Sequence, residues 1–215
     1  MKLLSKTLTT LILLACFSSN VFANVPEEVV KVRQSWEKIK YRTPEKEQES
    51  AFEQLSKESA RIKDRLPKEA SAAIWHGIVE ASYAGAKGGV GALGLAKSAK
   101  KSFEDALAID PKALDGSAYT SLGSLYYQVP GWPIGFGDDK IAQELLLKGL
   151  AANPNGIDSN YFYGDFLFRS GDLDGAEKAL KKAMMAAPRE GRAIADEGRR
   201  KEIQELLAKT AKKRL

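Results

Sequence analysis

One spacing of small residues, a large apolar residue and a proline constrains the fold of this chain more than any other feature. In its clearest copy, Gly164 is followed twelve positions later by Ala176, and then by Leu180, Ala183 and Pro188. Small residues at fixed places let two helices pack closely beside a large side chain, and a proline ends the second helix. The spacing therefore predicts paired helices, and two earlier segments keep the same offsets: Ala142, Leu146, Gly149 and Pro154, and Ala99, Phe103, Ala106 and Pro111.

The middle copy predicts a long loop between its two helices. Nineteen positions, rather than twelve, separate Gly123 of its first helix from Ala142 of its second. The additional residues fall around 130–137, where prolines and glycines are too dense for a helix to continue. The first copy is looser, because the glycine-rich segment 87–91 interrupts it.

The composition agrees with an all-α protein. Hydrophobic residues make up 44% of the 215 positions, enough for a continuous core shared between neighbouring helix pairs. Alternating runs of β-branched residues, the usual signal of a strand, do not occur beyond the extreme N-terminus. We therefore predict an all-α solenoid of about three helical hairpins, with a degenerate helix pair before them and a capping helix after them.

The predicted organisation has six segments. The N-terminal pair shows apolar residues every three or four positions but lacks the small-residue offsets, which indicates a cap rather than a repeat. The predicted bounds are 1–23 for a targeting segment, 24–66 for the N-terminal caps, 67–111, 115–154 and 157–190 for three repeats, and 191–215 for the C-terminal cap.

The first 23 residues have the layout of an export signal. Lys2 and Lys6 precede an apolar stretch at 8–17 that is short for a membrane span, and small residues around Ala23 suit cleavage there. We expect a mature, periplasmic protein that begins after Ala23. An alternative is a lipoprotein anchored at Cys16, because the residues before this cysteine resemble a lipoprotein box.

The chain shows no pattern typical of an enzyme, a metal site or a cofactor site. Its one histidine, His76, has no second histidine for a zinc site, and Cys16 is the only cysteine. The glycines at 88–91 lack the lysine and hydroxyl residue of a phosphate-binding loop. The adjacent Asp138 and Asp139 lack the further oxygen ligands of a calcium loop, and we expect them to cap a helix. We predict a protein that is not an enzyme and has no cofactor.

The net charge argues against a nucleic-acid partner. The whole chain carries a formal charge of +5, and two of its lysines lie in the targeting segment. The remaining basic residues are mixed with acids along the helices, apart from a cluster at the C-terminal end, where cations complement the helix dipole.

A first candidate binding segment is the long loop of the middle repeat. It presents Trp132 and Phe136 on a backbone stiffened by Pro130 and Pro133, so that a contact there would cost little conformational entropy. Tyr126 of the preceding helix joins them as a candidate. The alternative is that the aromatic rings fold back and seal the neighbouring helix pair.

A second candidate segment is the aromatic helix at 160–169. Helical spacing places Tyr161, Asp165 and Arg169 along one side, where they would form a polar and aromatic patch facing a groove. The alternative is that most of the rings belong to the core and that Asp165 pairs with Arg169.

These motifs resemble those of the tetratricopeptide repeat (TPR), whose period and offsets they share. The loop at 129–138, the segment Leu93-Gly94-Leu95-Ala96-Lys97 and the run Asn160-Tyr161-Phe162-Tyr163-Gly164-Asp165 are similar to exported bacterial TPR proteins, among them the T-component proteins associated with TRAP transporters. That resemblance implies a periplasmic or lipid-anchored protein beside a solute-binding protein, passing a hydrophobic ligand through a groove or pore. This chain departs from the family before Cys16, where Leu14 is an unusual residue for its position in a lipoprotein box.

Two functions are therefore favoured at the level of the sequence, and a third, a cell-wall-related enzymatic activity, has no motif behind it. The first is a non-catalytic periplasmic scaffold that binds a protein or peptide partner on its concave surface. The second is an accessory carrier in solute transport that encloses an apolar small molecule. A closed pocket lined by Trp132, Phe136 and Tyr161 would favour the carrier, and an open polar groove would favour the scaffold.

Overall fold

A computed structural model of the protein describes residues 25–214. The predicted signal peptide and the alternative at Cys16 lie outside this range. Within it the chain forms nine helices and no strand: α1 (Glu27–Arg42), α2 (Glu45–Arg65), α3 (Ala70–Lys87), α4 (Gly89–Ile109), α5 (Ala113–Gln128), α6 (Asp139–Ala152), α7 (Ile157–Ser170), α8 (Leu173–Met184) and α9 (Ala193–Lys213). None of these helices combines the length and the apolar character needed to cross a membrane.

Local side-chain chemistry sets several of the helix ends. The Asp138 carboxylate accepts hydrogen bonds from the backbone N–H groups of Lys140 and Ile141, which confirms the predicted cap of α6. Asp172 caps α8 in the same way. Between them, α7 ends at Gly171, whose φ of +88° is a left-handed conformation that favours glycine.

Two of the predicted helix pairs are α5 with α6 and α7 with α8. The two helices of each pair are in close contact at the glycine that the spacing identified, Gly123 or Gly164. A Cβ atom at Gly123 would lie 2.9 Å from Leu146, and one at Gly164 would lie 2.9 Å from Leu180, so the first helix passes directly over the large residue of the second. The offset copies therefore mark equivalent helix contacts.

The first pair, α3 with α4, uses a glycine that the sequence analysis did not assign. A Cβ atom at Gly77 would lie 2.5 Å from the Phe103 ring, which makes Gly77 the counterpart of Gly164. Both helices of this pair are longer than those of the pair α7–α8. They have 18 residues in α3 and 21 in α4, against 14 in α7 and 12 in α8. The predicted glycine-rich break at 87–91 is correspondingly narrow, with only Gly88 between the two helices.

The helices form an inner and an outer layer. Inner helices contact one another in the order α1, α3, α5, α7 and α9, and α1 in turn contacts α9. The outer helices α2, α4, α6 and α8 lie against the inner ones. The prediction of an all-α helical-repeat solenoid is confirmed, and its inner layer closes on itself where α1 meets α9.

Candidate partner-binding surface

The loop between α5 and α6 is held in place by its own backbone. The N–H of Gly137 donates to the carbonyl of Pro130 at 2.9 Å, and the N–H of Ile134 donates to that of Gly131 at 3.1 Å. At its end the N–H of Asp138 donates to the Tyr126 carbonyl at 2.9 Å. The loop is therefore an ordered projection at the edge of the solenoid where the first and second helices of each pair are joined.

Two of the predicted contact residues hold this loop on the solenoid. The Phe136 and Tyr126 rings meet edge to face with centroids 5.5 Å apart, and the Lys100 ammonium lies 5.9 Å from each centroid. Phe136 also packs on the core cluster that contains Phe103. These contacts agree with the alternative in which the loop seals the neighbouring helix pair.

Trp132 and Ile134 project from the same loop into solvent. Trp132 is 91% exposed and Ile134 is 69% exposed. Large apolar side chains presented together on an ordered backbone are typical of a protein interaction site. The two loop aromatics thus differ in placement, since Phe136 is packed and Trp132 is accessible.

Asp165 and Arg169 lie together on α7, and both contact α5. The Tyr127 hydroxyl donates to Asp165 at 2.8 Å, and Arg169 Nε donates to the same carboxylate at 3.1 Å. The Arg169 guanidinium also lies 5.3 Å from the Tyr127 ring centroid. Burial raises the pKa of Tyr127, and the Asp165 charge raises it further. Two of the three residues predicted to form a patch, Asp165 and Arg169, therefore pair with each other, which agrees with the alternative stated for this helix.

Tyr161, the third residue of the predicted patch, lies against the C-terminal helix α9. The Arg199 guanidinium is 4.3 Å from the Tyr161 ring centroid and 4.7 Å from that of Phe162. Burial raises the pKa of Tyr161 to about 12. Its ring is therefore part of the filled space between α7 and α9.

Asp158 is the charged centre of that space. Its carboxylate binds Arg199 Nε at 2.8 Å and Arg189 at 2.6 Å. Burial on its own would raise the pKa of Asp158, but the two guanidinium groups hold it well below its ordinary value. Arg189 also pairs with Asp196 in the first turn of α9, at 2.6 Å. The network fixes the start of α9 onto α7.

A further arginine, Arg192, reaches across to the first two inner helices. Its Nε lies against the buried carboxylate of Glu37 on α1 in an ion pair that is not aligned as a hydrogen bond. Its guanidinium stands 5.3 Å from the ring centroid of Trp75 on α3. Glu37 is 3% exposed and Trp75 is 5% exposed. Arg33 of α1, whose Nε has no hydrogen-bond partner within residues 25–214, lies beside Gly191.

These arginines and their carboxylates are not among the contact residues predicted from the sequence. Their signal was the recurrence of arginine at 189, 192 and 199, together with acidic residues on the first helices of predicted pairs. The structure brings together Tyr126 with Phe136 and Asp165 with Arg169, whereas Tyr161 contacts Arg199 of the arginine network and Trp132 projects into solvent.

A surface cavity lies apart from the predicted contact residues. It has a volume of about 200 Å³ and opens between α1 and α2, and its lining consists of Glu28, Lys31, Glu58, Arg61, Ile62 and Arg65. It includes none of the six predicted contact residues. Within residues 25–214, no three histidine, cysteine or acidic side chains cluster in a way that could hold a metal ion.

Comparison with known families agrees with this architecture. The family model of the tetratricopeptide repeat matches residues 157–190, which comprise α7 and α8. No curated protein matches the chain. The protein therefore contains a tetratricopeptide repeat within an all-α solenoid, the class of fold that generally acts as a non-catalytic scaffold for protein partners.

Proposed function

We propose that this protein is a non-catalytic, exported adaptor that binds a protein or peptide partner through the loop between α5 and α6. The observation that carries the proposal is the 91% exposure of Trp132 on a loop whose backbone is already fixed by hydrogen bonds. A tryptophan presented in this way loses little conformational entropy on binding, and tryptophan is enriched among the residues that dominate interface energies.

The concave surface is a second part of the proposed interface. Its inner helices close where α1 meets α9, and Arg199 and Tyr161 occupy the space between α7 and α9. A partner that contacts these helices would have to take the place of side chains of the chain itself. We therefore place the initial contact at Trp132, at the accessible edge.

Site-specific photocrosslinking tests the proposed surface. A photoreactive amino acid at position 132 should capture one defined protein from the native cell envelope, and Trp132→Ala should weaken recovery of that protein by at least about tenfold. The matched control is position 185, because Met185 is also exposed, at 78%, and lies at the opposite edge of the solenoid. Equal capture at both positions, or unchanged recovery with Trp132→Ala, would refute the proposal.

Export is also part of the proposal, and it concerns residues outside the described range. We propose a periplasmic protein cleaved after Ala23, with anchoring at a lipidated Cys16 as the alternative. The intact mass of the protein purified from its own cells distinguishes the two. A chain beginning at Asn24 supports the first, a lipidated chain beginning at Cys16 supports the second, and an uncleaved chain contradicts both.

The carrier function remains a distinct prediction. As an accessory in solute transport, similar to the T-component of TRAP transporters, the protein would retain an apolar molecule and work beside a solute-binding protein. Native mass spectrometry of the purified protein distinguishes the carrier from the adaptor. A retained apolar molecule that is lost with Trp132→Ala would favour the carrier, and a bare chain with a stoichiometric protein partner would favour the adaptor.

A further inference from the structure

The contact of Arg192 with Glu37 and Trp75 has the features of a recognition site for a guanidinium group. Trp75 offers an aromatic face on which a planar cation can stack, and Glu37 offers a carboxylate beside it. The two residues come from different inner helices, α3 and α1, which stay together through an edge-to-face contact of Trp36 with Trp75, with centroids 5.8 Å apart. The site is therefore built by the first part of the chain and is filled by its last part.

Arg192 is less firmly held than the other arginines of its segment. Arg189 and Arg199 each bind two carboxylates, and Arg200 donates to the carbonyls of Met184 and Ala186 at 2.8 and 2.9 Å. These contacts fix the connection between α8 and α9 without any help from Arg192. Arg192 itself has the single, poorly aligned ion pair with Glu37.

The direction of the pKa shift distinguishes Arg192 from Arg189 and Arg199. The carboxylates around Arg199 and Arg189 raise the pKa of both groups despite their burial. For Arg192, burial lowers the pKa and the positive charge of Arg189 lowers it further, and the Asp158 and Glu37 carboxylates, which act in the opposite direction, do not offset these effects. Of these three arginines, Arg192 therefore has the charge least stabilised by its surroundings. Its exchange for another arginine, which keeps the buried Glu37 carboxylate paired, should cost less free energy than displacement of Arg189 or Arg199.

We propose that the Glu37–Trp75 site binds an arginine side chain of the protein partner, and that Arg192 fills the site as an internal stand-in until the partner is bound. The proposal rests on the proposed function in one respect, namely that the partner is a protein. Lysine would fit less well, because a compact ammonium cannot lie flat on the Trp75 ring while facing the Glu37 carboxylate with several N–H groups.

Chemical rescue of an emptied site tests the proposal without any partner. In the full chain carrying Arg192→Ala, N-acetyl-arginine amide should raise the melting temperature in a saturable way, with an apparent affinity at least about tenfold higher than for the unmodified protein, in which Arg192 competes. N-acetyl-lysine amide is the matched control and should act only as salt does. Adding Glu37→Gln to Arg192→Ala should abolish the rescue.

The outcomes are decisive in both directions. A rise that does not saturate, an equal rise with the lysine amide, or rescue that persists with Glu37→Gln would overturn the proposal. If Arg192→Ala does not fold alone, the yields of refolding in each of the two amides give the same comparison. Because Trp132 is unchanged and no partner is present, failure here would leave the proposed function standing, and failure of crosslinking at position 132 would leave this site standing.

Discussion

Gly77 shows how closely two helices approach when one of them lacks a side chain. The position of its absent Cβ atom lies 2.5 Å from the Phe103 ring, and that ring is fully buried. A real carbon at this distance would overlap the ring, which has no room to retreat in a close-packed core. The residue type at position 77 therefore sets the spacing between α3 and α4.

Two glycines of α3, Gly77 and Gly85, should respond in opposite directions to substitution by alanine. Gly77→Ala should lower the free energy of unfolding by about 1–3 kcal/mol, because the new methyl group forces α3 away from Phe103. Gly85→Ala should instead raise it by up to about 1 kcal/mol, because no atom lies within 4 Å of its Cβ position and alanine favours a helix. Urea unfolding followed by circular dichroism measures both values. Equal signs for the two variants would contradict the close contact.

Asp158 joins two helices, and its substitution acts on their connection. Asp158→Asn would leave Arg189 and Arg199 without their shared carboxylate, and Arg199 is 8% exposed. About one third of the Asp158 side chain remains exposed, at 33%, so we expect a loss of about 2–4 kcal/mol, toward the lower end of the range for buried pairs. The control is Asp174→Asn, whose side chain is 96% exposed and pairs with Arg214, and which should change stability by less than about 0.5 kcal/mol.

The stabilising contribution of Asp158 should depend on pH. The folded-state pKa of Asp158 is lowered, so its stabilising contribution is complete above its ordinary pKa of about 3.9 and is lost as the pH falls toward the folded value. Unfolding measured from about pH 6 down to about pH 2 should therefore show the difference between the unmodified protein and Asp158→Asn shrinking with acid. A difference that stays constant over this range would show that Asp158 is not ionised in the folded protein.

The elements differ in how well the sequence predicted them. The pair α7–α8 follows from local rules, because Gly164, Leu180 and Pro188 stand at fixed offsets within one segment. The pair α3–α4 kept the offsets only in its second helix, and the lengthened hairpin hid the role of Gly77. Local patterns specify a helix, but they do not fix how far a hairpin extends beyond its contact.

Charged pairs between distant segments could not be predicted at all. Glu37 and Arg192 are separated by most of the chain, and nothing in the sequence around either residue names the other. For the same reason the local spacing places Tyr161 in a patch facing a groove, because the helix that covers Tyr161, α9, carries Arg199 to it from further along the chain. The sequence does not determine that Trp132 is exposed and that Phe136 packs on the solenoid, because the packing of a loop depends on the surface beneath it.

Closure of the inner layer is the main property of the whole molecule. Where α1 meets α9, the Tyr41 ring packs directly on Gly198, and a Cβ atom at position 198 would lie 2.5 Å from Tyr41 Cγ. Ion pairs flank this contact, between Arg42 and Glu197 and between Lys40 and Glu202 at 3.9 Å. The junction is thus more polar than the apolar clusters between the other helices.

A disulfide across this junction tests closure. In a chain with Cys16→Ser, the changes Tyr41→Cys and Gly198→Cys place two Cβ atoms no more than ~4 Å apart, a separation that a disulfide can span. We expect the bond to form spontaneously under air and to raise the melting temperature, because it closes a loop of most of the chain. Each single variant, which also loses the Tyr41 contact or gains a side chain, provides the control for the substitutions themselves. Failure of the two cysteines to join in the folded protein would show that α1 and α9 stand apart.

Closure also determines how many helices this architecture can hold. An open solenoid can gain or lose a repeat at either end, because each new unit needs only the one before it. Here the last inner helix must reach the first, and an inserted or deleted hairpin would carry α9 past α1 or leave it short. The number of hairpins in this protein is therefore set by its circumference, so that changes in length should be confined to the tips of hairpins, where α3, α4 and the Trp132 loop already carry theirs.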